Sequence, residues 1–270
     1  MKVSAVVKSI KQAESIKDLV SAFILPIDDL SINYENTFSI SEIKKIVKMK
    51  DTFVVVNKNI HNSELGYLEE VLLKLEKLNL EGIIFYDIAV VNLKNKLKLK
   101  TPLVWAQEHL TTNYKTINYW YDKGAEYAYL SSELTKAEMD EIVKNSKAKI
   151  FVNVFGYLPM FTSRRNLVNN YIDSFSLDNS DGVKKLFKED KYYLITDTSI
   201  GTTVYSNYIL NALDENFSNY DYIVFNSNFI SDDDFYDVLV NFKKGKTDYK
   251  FPFEKGFLYK ETVYKVKKNG

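Results

Sequence analysis

Residues able to do chemistry are few in this chain and unevenly placed. Of the 36 basic residues only two are arginines, Arg164 and Arg165, and they are adjacent. Arginine carries a planar donor fork that matches carboxylate and phosphate edges, a geometry lysine cannot copy. The pair is therefore a candidate anion contact, with a lysine-biased codon usage as the alternative cause. His61 and His109 are the only histidines. With Asp87 or Glu108 they are candidate metal ligands. They lack an HExxH-type spacing, and histidines so placed are usually ordinary turn residues. Ser163 is the one serine in a suggestive setting, but no GxSxG frame presents it as a nucleophile.

Cysteine is absent. The chain on its own therefore offers no disulfide, thiolate nucleophile, cysteine zinc site or cysteine-held iron–sulfur cluster. Its 36 acidic residues balance the 36 basic ones. A protein that grips nucleic acid unaided normally carries a basic excess to displace counterions, and overall this one does not. The N-terminal apolar run is too short for a signal peptide, and no stretch reaches the length of a membrane span. The expectation is a cytoplasmic protein with no membrane partner.

Short β-rich runs alternate with amphipathic helical stretches along the 270 residues. Strand-like runs fall at Val3–Val7, Val20–Ile27, Thr52–Val56, Gly82–Tyr86, Leu103–Ala106, Tyr127–Leu130, Lys149–Phe155 and Tyr222–Phe225. Helical patterns follow nearly all of them. The clearest is Ser63–Leu78, with Leu65, Leu68, Leu72, Leu75 and Leu78 at three- and four-residue spacing. Ser41 is read as an N-cap. Asn166–Asp190 is polar and irregular. Tyr192–Thr196 and Thr202–Tyr205 read as a hairpin split by Ser199-Ile200-Gly201, followed by a helix over Asn207–Glu215. The tail, Gly256–Val266, reads as an added hairpin or strand.

Eight β-runs with intervening helices predict an α/β fold, a TIM-type (β/α)8 barrel. A small hairpin is inserted after strand seven and a short extension follows at the C-terminus. Residues 1–270 are expected to form a single barrel domain. An open doubly wound sheet is the runner-up. No GxGxxG or GxxxxGK[ST] is present, so dinucleotide and P-loop readings have no support.

In such a barrel the active site lies at the C-terminal ends of the strands. Candidates there are Asp28 and Asp29, then Asn57, Asn59 and His61, then Asp87. Further round the rim come Gln107, Glu108 and His109, then Ser131, Ser132 and Glu133, and finally Gly156 to Arg165. Rim carboxylates serve as acid/base pairs or cation ligands, or simply as solvated and capping groups.

Phe151-Val152-Asn153-Val154-Phe155-Gly156-Tyr157-Leu158-Pro159-Met160-Phe161-Thr162-Ser163-Arg164-Arg165-Asn166 resembles the signature region of the collagenase-like peptidase family U32. Leu130 to Thr135, the Trp105-Ala106-Gln107 and Thr112 to Thr116 segments, and Tyr192 to Leu213 resemble other family segments in the same order. The resemblance implies a TIM-type barrel. It carries over Gly156, Ser163, Arg165 and Glu133, with Gln107 and Asn113 behind them, as substrate- or partner-binding positions beside Arg164. The family signature carries two cysteines where this chain has Pro159 and Asn166, and an arginine where Ser132 stands. In some branches those cysteines hold a cluster that serves hydroxylation of tRNA, ribosomal RNA or a quinone precursor.

The resemblance therefore implies a cysteine-lacking subunit or accessory protein in tRNA wobble-uridine hydroxylation. Its expected partners are a cysteine-bearing U32 relative and tRNA or a small acidic ligand. Two alternatives stay open: a metal-dependent peptidase, as the family name states, or a non-enzymatic barrel that binds a ligand or a partner.

Overall fold

The computed structural model describes residues 1–177, 183–246 and 248–260. Eight strands form a closed parallel ring: β1 (Lys2–Val6), β2 (Ala22–Pro26), β3 (Asp51–Val56), β4 (Gly82–Phe85), β5 (Leu103–Trp105), β6 (Tyr127–Tyr129), β7 (Lys149–Ser163) and β11 (Tyr222–Asn226). β11 pairs with both β1 and β7, which closes the barrel. Helices α1 (Ile10–Ile16), α2 (Ile40–Ile46), α3 (Leu65–Leu75), α4 (Ile88–Leu97), α5 (Tyr114–Asp122) and α6 (Lys136–Asn145) connect the strands, and α8 (Asp232–Lys243) follows β11. The open-sheet alternative is excluded by the ring.

Strand parity decides where the core sits. Phe23, Val54, Ile83, Trp105, Ala128 and Val152 point outward into the layer beneath the helices. Ile24, Phe53, Val55, Ile84, Val104 and Phe151 point inward. At the N-terminal end the interior is plugged by aromatic rings. Phe151 stacks on Tyr222 at 4.3 Å, and Phe53 meets both edge-on at 5.0 and 5.4 Å.

Beyond the ring stands an antiparallel extension made of α7 (Leu167–Phe175), β8 (Lys184–Lys188), β9 (Lys191–Thr198) and β10 (Gly201–Asn211). The β9–β10 hairpin matches the expected insertion. The segment expected to be irregular after Asn166 instead holds α7 and β8. The helix expected over Asn207–Glu215 is not formed. Its first half continues β10, because β7 runs far enough to pair Leu210 with Gly156 and Asn211 with Phe155. The N-cap of α2 is Ser39, not Ser41: Glu42 reaches back to the Ser39 amide at 2.9 Å and completes a capping box. Just before the expected C-terminal element Glu254 bridges to Asn211, and the described start of the element, from Gly256, is a turn rather than a strand. Glu261–Val266 of that element lie outside the described residues.

β7 thus belongs to both sheets, and the handover is at Gly156. One extra residue enters β7 relative to β11 between Asn153 and Phe155. Gly156 then takes φ +119°, and a Cβ there would lie 2.5 Å from the Asn226 carbonyl oxygen. Gly156→Ala is expected to destabilise the protein by about 2–4 kcal/mol, read as a lower urea midpoint at unchanged slope.

Candidate functional site at the barrel mouth

The plug leaves the barrel interior open only at the C-terminal ends of the strands. There the inward parity continues with polar residues: Asn57 after β3, Tyr129 on β6, Asn153 on β7 and Asn226 on β11. They rim a cavity floored by Val6, Val55 and Ile84, with about 790 Å³ of empty space counting the part open to solvent. Tyr129 donates to Asn153 Oδ1 at 2.6 Å, and Asn153 donates onward to Ser132 Oγ at 3.0 Å.

One wall is the loop after β2. Asn57 fixes it by accepting from the Ile32 amide at 2.8 Å and donating to the Ile32 carbonyl at 3.0 Å. This presents Asn33 in a left-handed conformation, φ 75°. Asn33 Oδ1 accepts from Thr162 on the far half of β7 and from Thr203 on β10, each at 2.8 Å. Asn228 donates to the Asn33 carbonyl at 3.1 Å. The Asn33 side chain also hydrogen-bonds Glu108.

Glu108 is the unusual group of the mouth. Burial pushes its carboxyl up to about 7, the Asn33 hydrogen bond opposes that rise, and the nearby Glu133 carboxylate adds to it. Tyr34 and Tyr129 are pushed above the ordinary phenol range, chiefly by burial, with the Glu108 charge adding to it. At the rim His109 Nδ1 lies 3.2 Å from Glu133 Oε1, both side chains about half exposed. A carboxyl poised near neutrality beside a histidine–carboxylate pair can hold and pass protons to a bound molecule.

The residues singled out from sequence are distributed around this site rather than gathered in it. Glu133, His109 and Glu108 line it. Gln107 offers its carbonyl to the amides of Leu110 and Thr111 in the turn below. Asn113 caps α5, accepting from the Thr116 amide at 2.9 Å. Gly156 serves the strand crossing, and Ser163 Oγ accepts from the Arg165 amide at 3.2 Å where β7 ends. The Arg164 fork is filled by Glu64, at 3.1 and 3.2 Å, and Lys58 reaches the same carboxylate at 2.7 Å. Arg164 above all, with Lys58 and a backbone amide, holds Glu64 down at about 2. Arg165 is exposed, and its side chain has no partner among the described residues.

His61 starts a short turn, its amide donating to Glu64 at 2.8 Å, and it is not among the residues that line the mouth. Asp87 accepts from the amides of Ala89 and Ile60, both at 2.9 Å. Among the described residues no group of three or more acidic or histidine side chains is placed to hold a metal. Sequence reading passed over Asn33, Tyr34, Tyr129 and Asn153. The last two stand two residues beyond the inward Tyr127 and Phe151, so strand parity was their signal.

A closed barrel with its working groups at the C-terminal rim is the TIM-barrel plan. The profile of peptidase family U32 matches residues 30–222, and the chain belongs to that family. It is 31% identical over 158 residues to "tRNA hydroxylation protein P2" of Bacillus subtilis (strain 168), covering 57% of this chain and 51% of that protein. It is 24% identical over 148 residues to "tRNA hydroxylation protein P1" of the same organism, covering 53% of this chain and 35% of that protein. The chain thus spans about half or less of the length of these curated relatives. The solved structure of the U32 peptidase Mk0906 shares the fold: TM-score 0.55 at 10% identity, covering 84% of this chain and 92% of that one.

The cysteine-held cluster of the resemblance does not fit this site. Pro159 pairs with Tyr205 in the β7–β10 ladder, and Asn166 leads into α7. Neither offers a thiolate. Helices long and apolar enough to cross a membrane are absent among the described residues.

Two carboxyls around the mouth, Glu64 and Glu108, act on stability in opposite pH windows. Glu64, held low, contributes above the ordinary carboxylate range, and that contribution is lost as pH falls through about 2. Glu108, held high, favours the folded state at acid pH and weakens it as pH rises through about 7. Glu108→Gln should raise stability at alkaline pH by about 2 kcal/mol, after a discount for solvent in the mouth, and leave it unchanged at acid pH. Urea unfolding at both ends of the range checks this.

Proposed function

We propose that this chain is a cysteine-free component of tRNA hydroxylation that acts at the wobble uridine beside a cysteine-bearing U32 relative. The observation that carries this reading is the 31% identity to a protein named for tRNA hydroxylation, over 158 residues, 57% of this chain. A chain without cysteine needs any thiolate-held centre to come from elsewhere, which favours a partnership over independent catalysis. Relatives named P1 and P2 in one organism support a paired arrangement.

A balanced net charge suits a subunit that leaves most of the RNA grip to another chain. Residues 1–270 act in this reading as one barrel domain, in the cytoplasm where tRNA resides. Arg165 is the natural contact for a phosphate, a small acidic ligand or the partner, since its fork is unengaged while that of Arg164 is filled. The peptidase reading is not favoured, because His61 and His109 do not converge on a shared centre.

Nucleoside mass spectrometry of bulk tRNA, with and without the gene, tests the proposal. Hydroxylated wobble uridine should disappear on deletion and return on complementation; an unchanged spectrum would count against it. Complementation with Arg165→Lys should restore the modification poorly although the protein folds, because charge is kept and bidentate geometry is lost.

A further inference from the structure

Among the described residues the mouth carries two carboxylates and no lysine or arginine to match them. Glu108 and Glu133 line it with His109, Tyr34, Tyr129 and Tyr157, over the apolar floor, and among the described residues no lysine or arginine lines the cavity. Lys58 and Arg164 stand in the adjoining recess, which Glu108 and His109 also line, but both cations are turned to Glu64, at 2.7 and 3.1 Å. Glu108 is hydrogen-bonded by a neutral amide and repelled by Glu133. A desolvated carboxylate among amides, phenols and a second carboxylate leaves negative potential uncompensated. Faces of aromatic rings attract cations, and an apolar floor accommodates a hydrocarbon body. An anion entering the same space would meet like charge and find no lysine or arginine among the described residues that line it.

We propose that the barrel mouth binds a small organic cation, a protonated amine on an apolar or aromatic body, with Glu108 receiving the ammonium group. This goes beyond the tRNA reading and does not depend on it. The groups facing Glu108 are Glu133, with its rim partner His109, Tyr34 from the loop after β2, Tyr86 after β4, Tyr129 on β6 and Tyr205 on β10. The four phenols are all held above their ordinary range, chiefly by burial, so they stay neutral through neutral pH. Amine binding then strengthens as Glu108 ionises and weakens as it takes up a proton.

Three ring compounds of matched size and different charge test this on the full chain by titration calorimetry: benzylammonium, benzyl alcohol and benzoate. At about pH 8 benzylammonium should bind about tenfold more tightly than the alcohol, with benzoate weakest, and the gap should narrow towards about pH 6. Glu108→Gln should abolish the gap while alcohol binding persists, and Glu133→Gln should keep most of it. Benzoate binding as well as the amine would overturn the proposal. So would an amine preference that survives Glu108→Gln, or a mouth that takes none of the three. The charge series on the unmodified protein decides the matter even if a variant fails to fold. It is also independent of the tRNA spectrum, so either idea can fail alone.

Discussion

A single strand that serves two sheets is the constraint on which the rest depends. β7 runs 15 residues, closing the barrel through its first half and supporting the extension through its second. No L side chain fits at the handover, because the Gly156 backbone touches that of Asn226. That contact sets the direction in which β7 leaves the ring, and so the position of Thr162 and Thr203 above the mouth. Those two hydroxyls fix Asn33, and Asn33 in turn bonds Glu108. The hydrogen bond that tempers the burial-raised proton affinity of Glu108 thus depends on a backbone crossing that carries no charge.

Polar side chains of the mouth are mostly satisfied by each other. Asn57 is spent on Ile32, Asn153 bridges Tyr129 and Ser132, and Asn33 gathers two threonines. Such a network holds its members in place before any ligand arrives, which lowers the ordering cost of binding. The Arg164–Glu64–Lys58 cluster does comparable work outside the cavity. It ties the end of β7 to the segment after β3, with two cations sharing the one Glu64 carboxylate.

Much of the barrel was legible because its signals are periodic. All eight ring strands fall within a residue or two of their hydrophobic runs, apart from the long reach of β7 and the wider expected run at β2, and Ser63–Leu78 became a 3₁₀ turn, α3 and a second 3₁₀ turn. What escaped was set by pairing with distant strands. Asn207 to Asn211 look able to form a helix until β7 is known to run alongside them. Rarity of residue type was an uneven guide to the site: the two arginines stood out, yet one of them is committed to Glu64. Asn33 carries no local pattern, since its importance lies in partners roughly 130 and 170 residues away. Ser39 was readable in principle, because Glu42 stands three residues on, but Ser41 is nearer the apolar run.

The aromatic plug has a further consequence for traffic. With Phe53, Phe151 and Tyr222 packed across the lower interior, the barrel is a blind alley with one doorway. Whatever enters the mouth must leave by the way it came, and a second molecule must wait outside. Arrival and departure are thereby forced into sequence, and a departing molecule and its successor exclude each other at the threshold.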